Sequence, residues 1–341
     1  MSERATENRV FYFTGSRKLE VVKEKCLAPG PGEILCRSIC SLISIGTEMI
    51  CFAREVEPGS VWDNWIQYPF EPGYSSVGEV IETGKMVSGI APGDRVCSTS
   101  PHRAWFIDRP ETVIPIPAGV TSEQASWFFL NIIVQNGIRE ARPALGETAV
   151  VIGLGPLGQL AVRFLGITGL NHLVAVDPIA QRCALAQGNG PTEVLELYAE
   201  QAIERVSGLT NGRGADLVFD ITGHPSVFHS AQHLLGKRGR LGLIGDAPFP
   251  SKQTLTHDVV SKSLSIIGAH GATPPWQGND YYRWGKKELT RFFFDLILVH
   301  RINLDNLMTQ RIRPGEAPRV YSEISANRSG YMGVVIDWRQ E

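Results

Sequence analysis

The sequence of 341 residues predicts an α/β protein with two units: a small, irregular β-barrel, and a doubly wound parallel six-stranded sheet covered by helices on both faces. Three observations carry this expectation. The first third of the chain is strand-rich, six apolar runs alternate with helical segments further on, and a glycine triplet opens the first strand-to-helix crossover. Length agrees, since domains of roughly 100–200 residues imply two cores, and a hydrophobic content of 43% is ample for both.

The barrel strands are RVFYFTG, KLEVVKE, GEILCRSICSLIS, SSVGEVIETG, DRVCST and WFIDRP. They alternate in polarity or run apolar, and they are split by turn signals such as Ala28-Pro29-Gly30-Pro31-Gly32 and Ala91-Pro92-Gly93-Asp94. From Thr121 the period changes. TSEQASWFFLNIIVQNGIREA opens on a Thr or Ser cap, carries Glu and Gln in its first turn and continues apolar at helical spacing, which predicts one long helix. ETAVVIG, HLVAVD, TEVLEL, ADLVFDITG, GRLGLIG and LSIIGAH then alternate with helical segments including GQLAVRFLGITG, IAQRCALAQ and PSVFHSAQHLLGK. Continuous apolar strands joined by helices mean a parallel sheet buried on both faces. The C-terminal part holds an aromatic helix, KKELTRFFFDLILVH, and ends in the strand YMGVVIDW, which needs an existing sheet to join. The barrel unit is therefore expected to be discontinuous, residues 1–138 plus 274–341, with a nucleotide-binding unit over residues 139–273 inserted between.

Composition excludes several classes of partner. A net charge of −2 with both signs well mixed leaves no electrostatic footprint for nucleic acid or an anionic membrane. Six cysteines without a CxxC pair read as reduced thiols. The opening MSERATENRV lacks the apolar core of a signal peptide, and no apolar run approaches the roughly 18 residues of a membrane span. The expected location is the cytoplasm.

The segment VVIGLGPLGQLAVRFLG contains Gly153-x-Gly155-x-x-Gly158, with Pro156 and Leu157 inside the motif. It follows a strand, opens a helix, and is trailed by Asp177 at the end of the next strand, about 20 residues on. Gly153 permits the tight turn, Gly155 lets the backbone approach a pyrophosphate, and Gly158 lets helix and strand pack closely. A carboxylate at 177 suits two ribose hydroxyls and repels a 2′-phosphate, so NAD(H) is the expected cofactor. Arg182 either lines the adenosine ribose or caps a helix.

Together, GTE, PGYSSVGEV, GDRV, VVIGLGPLG, DLVFDITG and GRLGLIG resemble the medium-chain dehydrogenase/reductase superfamily, in a pattern similar to its sorbitol and threonine dehydrogenase branch. The resemblance implies a GroES-like catalytic domain and a Rossmann domain with the substrate in the cleft between them. It also implies that Thr222, Ile244, Gly245, Ala269 and His270 lie beside the nicotinamide half of the cofactor. In zinc members of the family the catalytic ligands fall on Ile45, Tyr74 and, less directly, Phe129; the structural four-cysteine lobe is replaced by SPHRAWF, shortly after Cys97. Ile and Phe have no lone pair for a metal and phenol is a poor zinc ligand, so both zinc sites are expected to be absent. Among zinc-lacking relatives the pattern is similar to proteins of the bacteriochlorophyllide a dehydrogenase type.

Without zinc the substrate oxygen needs another acid or base. Tyr74 stands where a ligand would point into the cleft and is expected either to transfer a proton, helped by any cation that lowers its pKa, or to fill the space left by the metal. Thr47 matches the family hydroxyl that relays the proton, Glu48 is expected to hold the loop, and His102 reads as an exposed loop histidine. Trp62, Trp65, Tyr68, Phe70, Trp276, Tyr281, Tyr282 and Trp284 suggest either a roomy pocket for a bulky or ring-containing small molecule, or loop and dimer packing. The leading expectation is zinc-independent, NAD(H)-dependent interconversion of a secondary alcohol and a ketone. Reduction of an enone or quinone, and a catalytically inactive nucleotide-binding regulator, are the alternatives. The resemblance also implies a homodimer or homotetramer.

Overall fold

A computed structural model of the chain describes residues 7–26 and 28–340; residues 1–6, part of the polar opening segment, lie outside them. The first unit begins with an antiparallel hairpin of β1 (Glu7–Gly15) and β2 (Lys18–Lys25). β3 (Ile34–Leu42) leads into α1 (Thr47–Ala53) and α2 (Val61–Trp65). The strands β4 (Ser76–Thr83), β5 (Arg95–Ser98), β6 (Trp105–Asp108) and β7 (Ile114–Pro115) follow.

The predicted long helix is in fact two, α3 (Ser122–Ala125) and α4 (Phe128–Ala141). A capping box between Thr121 and Gln124 starts α3 as expected. The break follows from Ser126, whose hydroxyl donates back to the Glu123 carbonyl at 2.7 Å while its own carbonyl accepts from Ser75 Oγ at 2.6 Å. Local side-chain bonds of this kind compete with the helical ladder.

The second unit alternates β8 (Thr148–Ile152), α5 (Pro156–Leu165), β9 (His172–Val176), α6 (Ala180–Ala186), β10 (Glu193–Leu195), α7 (Ala202–Leu209), β11 (Ala215–Asp220), α8 (Pro225–Leu234), β12 (Leu235–Leu243), α9 (Asp258–Ser261) and β13 (Ser265–Gly268). Its six strands are all parallel, in the order β10-β9-β8-β11-β12-β13. The direction of winding reverses between β8 and β11, and open sheets of this kind bind ligands beyond the strand ends at that point. The fold is that of a GroES-like unit joined to a Rossmann unit.

The chain then returns through α10 (Lys286–Leu298), β14 (Met308–Ile312), α11 (Ala317–Ala326) and β15 (Gly333–Asp337). β15 pairs antiparallel with β3, and the resulting sheet runs β14-β15-β3-β4-β5-β7 with β6 also on β3. One apolar core is continuous across both units: Leu42, Val77 and Trp127 of the first join, through α4, to Val151, Leu160 and Phe219 of the second. No helix among the described residues is long and apolar enough to cross a membrane.

Arg163 on α5 fastens the returning segment to the nucleotide unit. Its buried guanidinium donates to the Asn303 carbonyl and to Asn306 Oδ1, each at 2.9 Å, and to Gln159 on its own helix. Replacing Arg163 by Met leaves those acceptors without a donor and should cost about 3 kcal/mol. A fall in the urea midpoint at unchanged slope is the expected observation; a midpoint equal to that of the parent would refute it.

Candidate active site

The C-terminal ends of β8, β9 and β11 face the loop from Ser44 to Thr47 across a cleft of about 460 Å³. Of the sequence-predicted residues, Thr47, Tyr74, Gly153, Gly155, Pro156, Leu157, Asp177, Arg182 and Thr222 line it together. Gly158 lies one step inside, on α5. Ile244, Gly245, Ala269 and His270 sit at the ends of β12 and β13 but outside this lining. His270 is exposed, and the contact it makes to α4 is through its backbone, where its carbonyl accepts from Asn136 Nδ2 at 3.1 Å.

At the nucleotide end the glycines are required by space. A Cβ on Gly158 would lie 1.9 Å from the Gly153 carbonyl oxygen, whereas one on Gly155 would meet nothing within 4 Å. Close packing at 158 and open approach at 155 are what a pyrophosphate at the start of α5 demands, since the first N–H groups of the helix have no intrahelical acceptor. Asp177 is almost fully buried. Its carboxylate accepts from Leu154 N at 2.7 Å and Ile179 N at 2.9 Å, while Arg182 Nη1 stands 3.7 Å away. Two backbone bonds leave lone pairs for ribose hydroxyls. Arg182 does not cap a helix; its Nη2 donates across the cleft to the Arg328 carbonyl at 3.2 Å. Thr222 is held by Asp220, whose Oδ1 accepts from Thr222 N at 2.8 Å and from its Oγ1 at 2.7 Å; burial pushes the Asp220 carboxyl up.

The opposite wall is organised by Glu48 on α1. Its buried carboxylate accepts from Ser44 N at 2.8 Å, from His102 Nε2 at 3.2 Å and from the Tyr321 hydroxyl. His102 is therefore not the exposed loop residue expected from its sequence context: it is fully buried, with Nδ1 2.7 Å from Ser41 Oγ, which also accepts from Trp338 Nε1 at 2.9 Å. The carboxylate beside Nε2 calls for a proton on that nitrogen. Gly73 makes room for it, at φ +97° and with any Cβ 2.7 Å from the imidazole.

The residue after Gly73 is Tyr74, whose hydroxyl meets Ser44 Oγ and lies 3.2 Å from Thr47 Oγ1. Its ring packs edge-on against Phe129, centroids 5.0 Å apart. Two of the three positions where zinc members carry ligands are thus in ring contact, and the third, Ile45, is buried in an apolar core and lines the cleft with Tyr74. Among the described residues no group of three or more His, Cys, Asp or Glu is arranged to hold a metal ion. The residues present do not fit a catalytic zinc. Nor does a cation lower the phenol: burial pushes Tyr74 up to about 12, against the smaller opposing effect of its bonds to Ser44 and Thr47.

None of the eight aromatic residues lines the cleft, and Trp284 lines a separate cavity. Trp62, Trp65 and Phe70 pack on one another edge to face, Tyr68 donates to the Cys51 carbonyl at 3.0 Å, and Tyr282 donates to Asn136 Oδ1 at 2.7 Å. Cleft residues that the sequence reading missed are Ser44, Tyr198, His224 and Arg328. Arg328 comes from the loop between α11 and β15 and has no spacing relation to the glycine motif. His224, two residues after the predicted Thr222, could have been inferred from its place at a strand end.

Residues 156–284 match the zinc-binding dehydrogenase family. The chain is 26% identical over 265 residues to D-guloside 3-dehydrogenase of Escherichia coli (strain K12), covering 74% of this chain and 73% of that protein. It is 26% identical over 294 residues to L-threonine 3-dehydrogenase of Caldanaerobacter subterraneus subsp. tengcongensis, covering 74% and 80%. Among solved structures, a zinc-binding dehydrogenase of Sinorhizobium meliloti 1021 bound to NADP superposes with a TM-score of 0.81 at 19% identity, over 98% of this chain and all of that one. Both of these curated relatives are dehydrogenases, and the solved structure shares the fold.

Removing the Glu48 side chain strands three buried donors. Glu48→Ala should cost about 3 kcal/mol, and Tyr321→Phe, which removes one of those donors, about 1 kcal/mol. Urea midpoints of the two variants give the comparison, and an equal, small loss in both would contradict the arrangement. Gly158→Val places its side chain on the Gly153 carbonyl and should weaken NADH binding, read by fluorescence, by at least about tenfold.

Proposed function

We propose that the chain is a zinc-independent, NAD(H)-dependent oxidoreductase that interconverts a secondary alcohol and a ketone. One observation carries the reading: a neutral phenol, Tyr74, is held by two hydroxyls at the wall of the cleft that also contains the glycine-rich turn. When bound, the nicotinamide supplies or accepts the hydride.

In the reducing direction Tyr74 O–H faces the substrate oxygen and donates its proton as negative charge develops there. An alkoxide is a stronger base than a phenolate, so the transfer runs toward the substrate. Hydroxyls from Ser44 and Thr47 then turn toward the phenolate oxygen and stabilise it, and Thr47, which lines the cleft, returns a proton from solvent. In the oxidising direction the same groups accept the proton, and the high pKa of Tyr74 makes alkaline conditions favourable. Thr222 and the carboxylate of Asp177 orient the cofactor, and Asp177 favours NAD(H) because a 2′-phosphate would lie against its charge. The position of Arg182 beside Asp177 tempers that preference, so it is expected to be a matter of degree. β13 pairs only with β12 among the described residues and leaves its outer edge open, which supports self-association as a homodimer or homotetramer.

Purified protein assayed with NADH or NADPH against alcohols, ketones and enones, with and without a chelator, tests this directly. Activity that survives the chelator, prefers ketones to enones and uses NADH better than NADPH is expected; stoichiometric zinc in the active protein would overturn the metal-free mechanism. Tyr74→Phe should lower kcat about 10²-fold or more with NADH affinity unchanged. Because burial raises the phenol to about 12, ketone reduction should keep its acid through alkaline pH. A loss of kcat centred below the ordinary phenol value of 10.0 would argue against Tyr74 as the donor.

A further inference from the structure

A second cavity, of about 540 Å³, opens on the side of α4 turned toward α5 and α10, away from the cleft. Ile138, Phe164, Ile167, Trp284 and Phe292 make its walls apolar, and Arg139 supplies the one charge among its lining residues. The guanidinium of Arg139 lies over the Trp284 ring, 3.6 Å from the centroid, with Phe292 at 5.9 Å. Its one side-chain hydrogen bond among the described residues is to Gln135 Oε1 at 3.4 Å, and its Nε is buried without an acceptor. The Tyr282 hydroxyl, which donates to Asn136 Oδ1, stands 3.2 Å from Oε1 of the neighbouring carboxylate, Glu140. A second cation, Arg283, stands 6.0 Å from the centroid of the same indole.

A partly desolvated guanidinium with five donors and no anion is costly to hold against apolar walls, and a carboxylate relieves that cost through paired, charge-assisted bonds. The volume is that of a small-molecule site, and aromatic and branched walls suit an apolar body. We propose that this cavity is a ligand site, separate from the active cleft, for a monocarboxylate with an aromatic or alkyl body, whose carboxylate pairs with Arg139 while its body packs against Trp284, Phe292 and Ile167. The site shares α4 with the cleft, which Leu130 and Ile133 line from the same helix.

Isothermal titration of the full chain with 4-phenylbutyrate, and with neutral 4-phenylbutanol as control, tests the site without any assumption about catalysis. The acid should bind at least about tenfold more tightly than the alcohol. Arg139→Gln should bring the acid down to the alcohol's level, and Ile167→Trp, which fills the cavity from its half-buried wall, should abolish binding of both. Equal affinity for acid and alcohol, no binding of either, or acid binding unchanged in both variants would overturn the assignment. So would a change of sedimenting mass in Ile167→Trp, because it would make the cavity a contact between copies of the chain.

Discussion

The buried carboxylate of Glu48 is the constraint around which the catalytic unit is arranged. An ion at this depth is tolerated only if donors surround it, and the donors come from distant parts of the chain: Ser44 before α1, His102 before β6, and Tyr321 on α11. Meeting that demand draws the C-terminal segment onto the first strands, and Trp338 completes the set through Ser41. It also dictates the left-handed turn at Gly73, since a side chain there would occupy the imidazole's space. Tyr74 follows immediately, so the wall of the cleft inherits its geometry from the charge beneath it.

The wall of the cleft around Tyr74 has a consistent chemical character. Ile45 and Phe129 contribute only apolar surface, and burial pushes the Tyr74 phenol up to about 12. In the proposed reaction a neutral donor of this kind serves as a Brønsted acid, which suits delivery of a proton to a carbonyl oxygen. The surrounding hydroxyls of Ser44 and Thr47 are small and can reverse their donor roles, so they serve either state of the phenol.

Helix α4 joins the two units mechanically. It continues the apolar core from Trp127 into the parallel sheet, places Leu130 and Ile133 in the cleft, and holds the strand-end backbone at His270 through Asn136. Its far face carries Gln135 and Arg139 into the second cavity.

Periodicity and glycine placement were enough to read both units, all six parallel strands and the nucleotide turn, because burial on two faces and close helix–strand contact each demand particular residues at neighbouring positions. That Thr47 and Tyr74 share one cleft with the glycine turn was anticipated by resemblance to family motifs. The break at Ser126, the burial of His102, the packing of the aromatic segments away from the cleft and the arrival of Arg328 were not legible. Each depends on groups far apart in sequence that meet only when the sheet closes: Ser75 on Ser126, Glu48 on His102, Arg182 on Arg328. The sequence by itself determined which local structures form and which chemistry is available; tertiary structure decided which polar groups are buried together, because satisfying a desolvated donor or charge is a property of the assembled core and not of any stretch of chain.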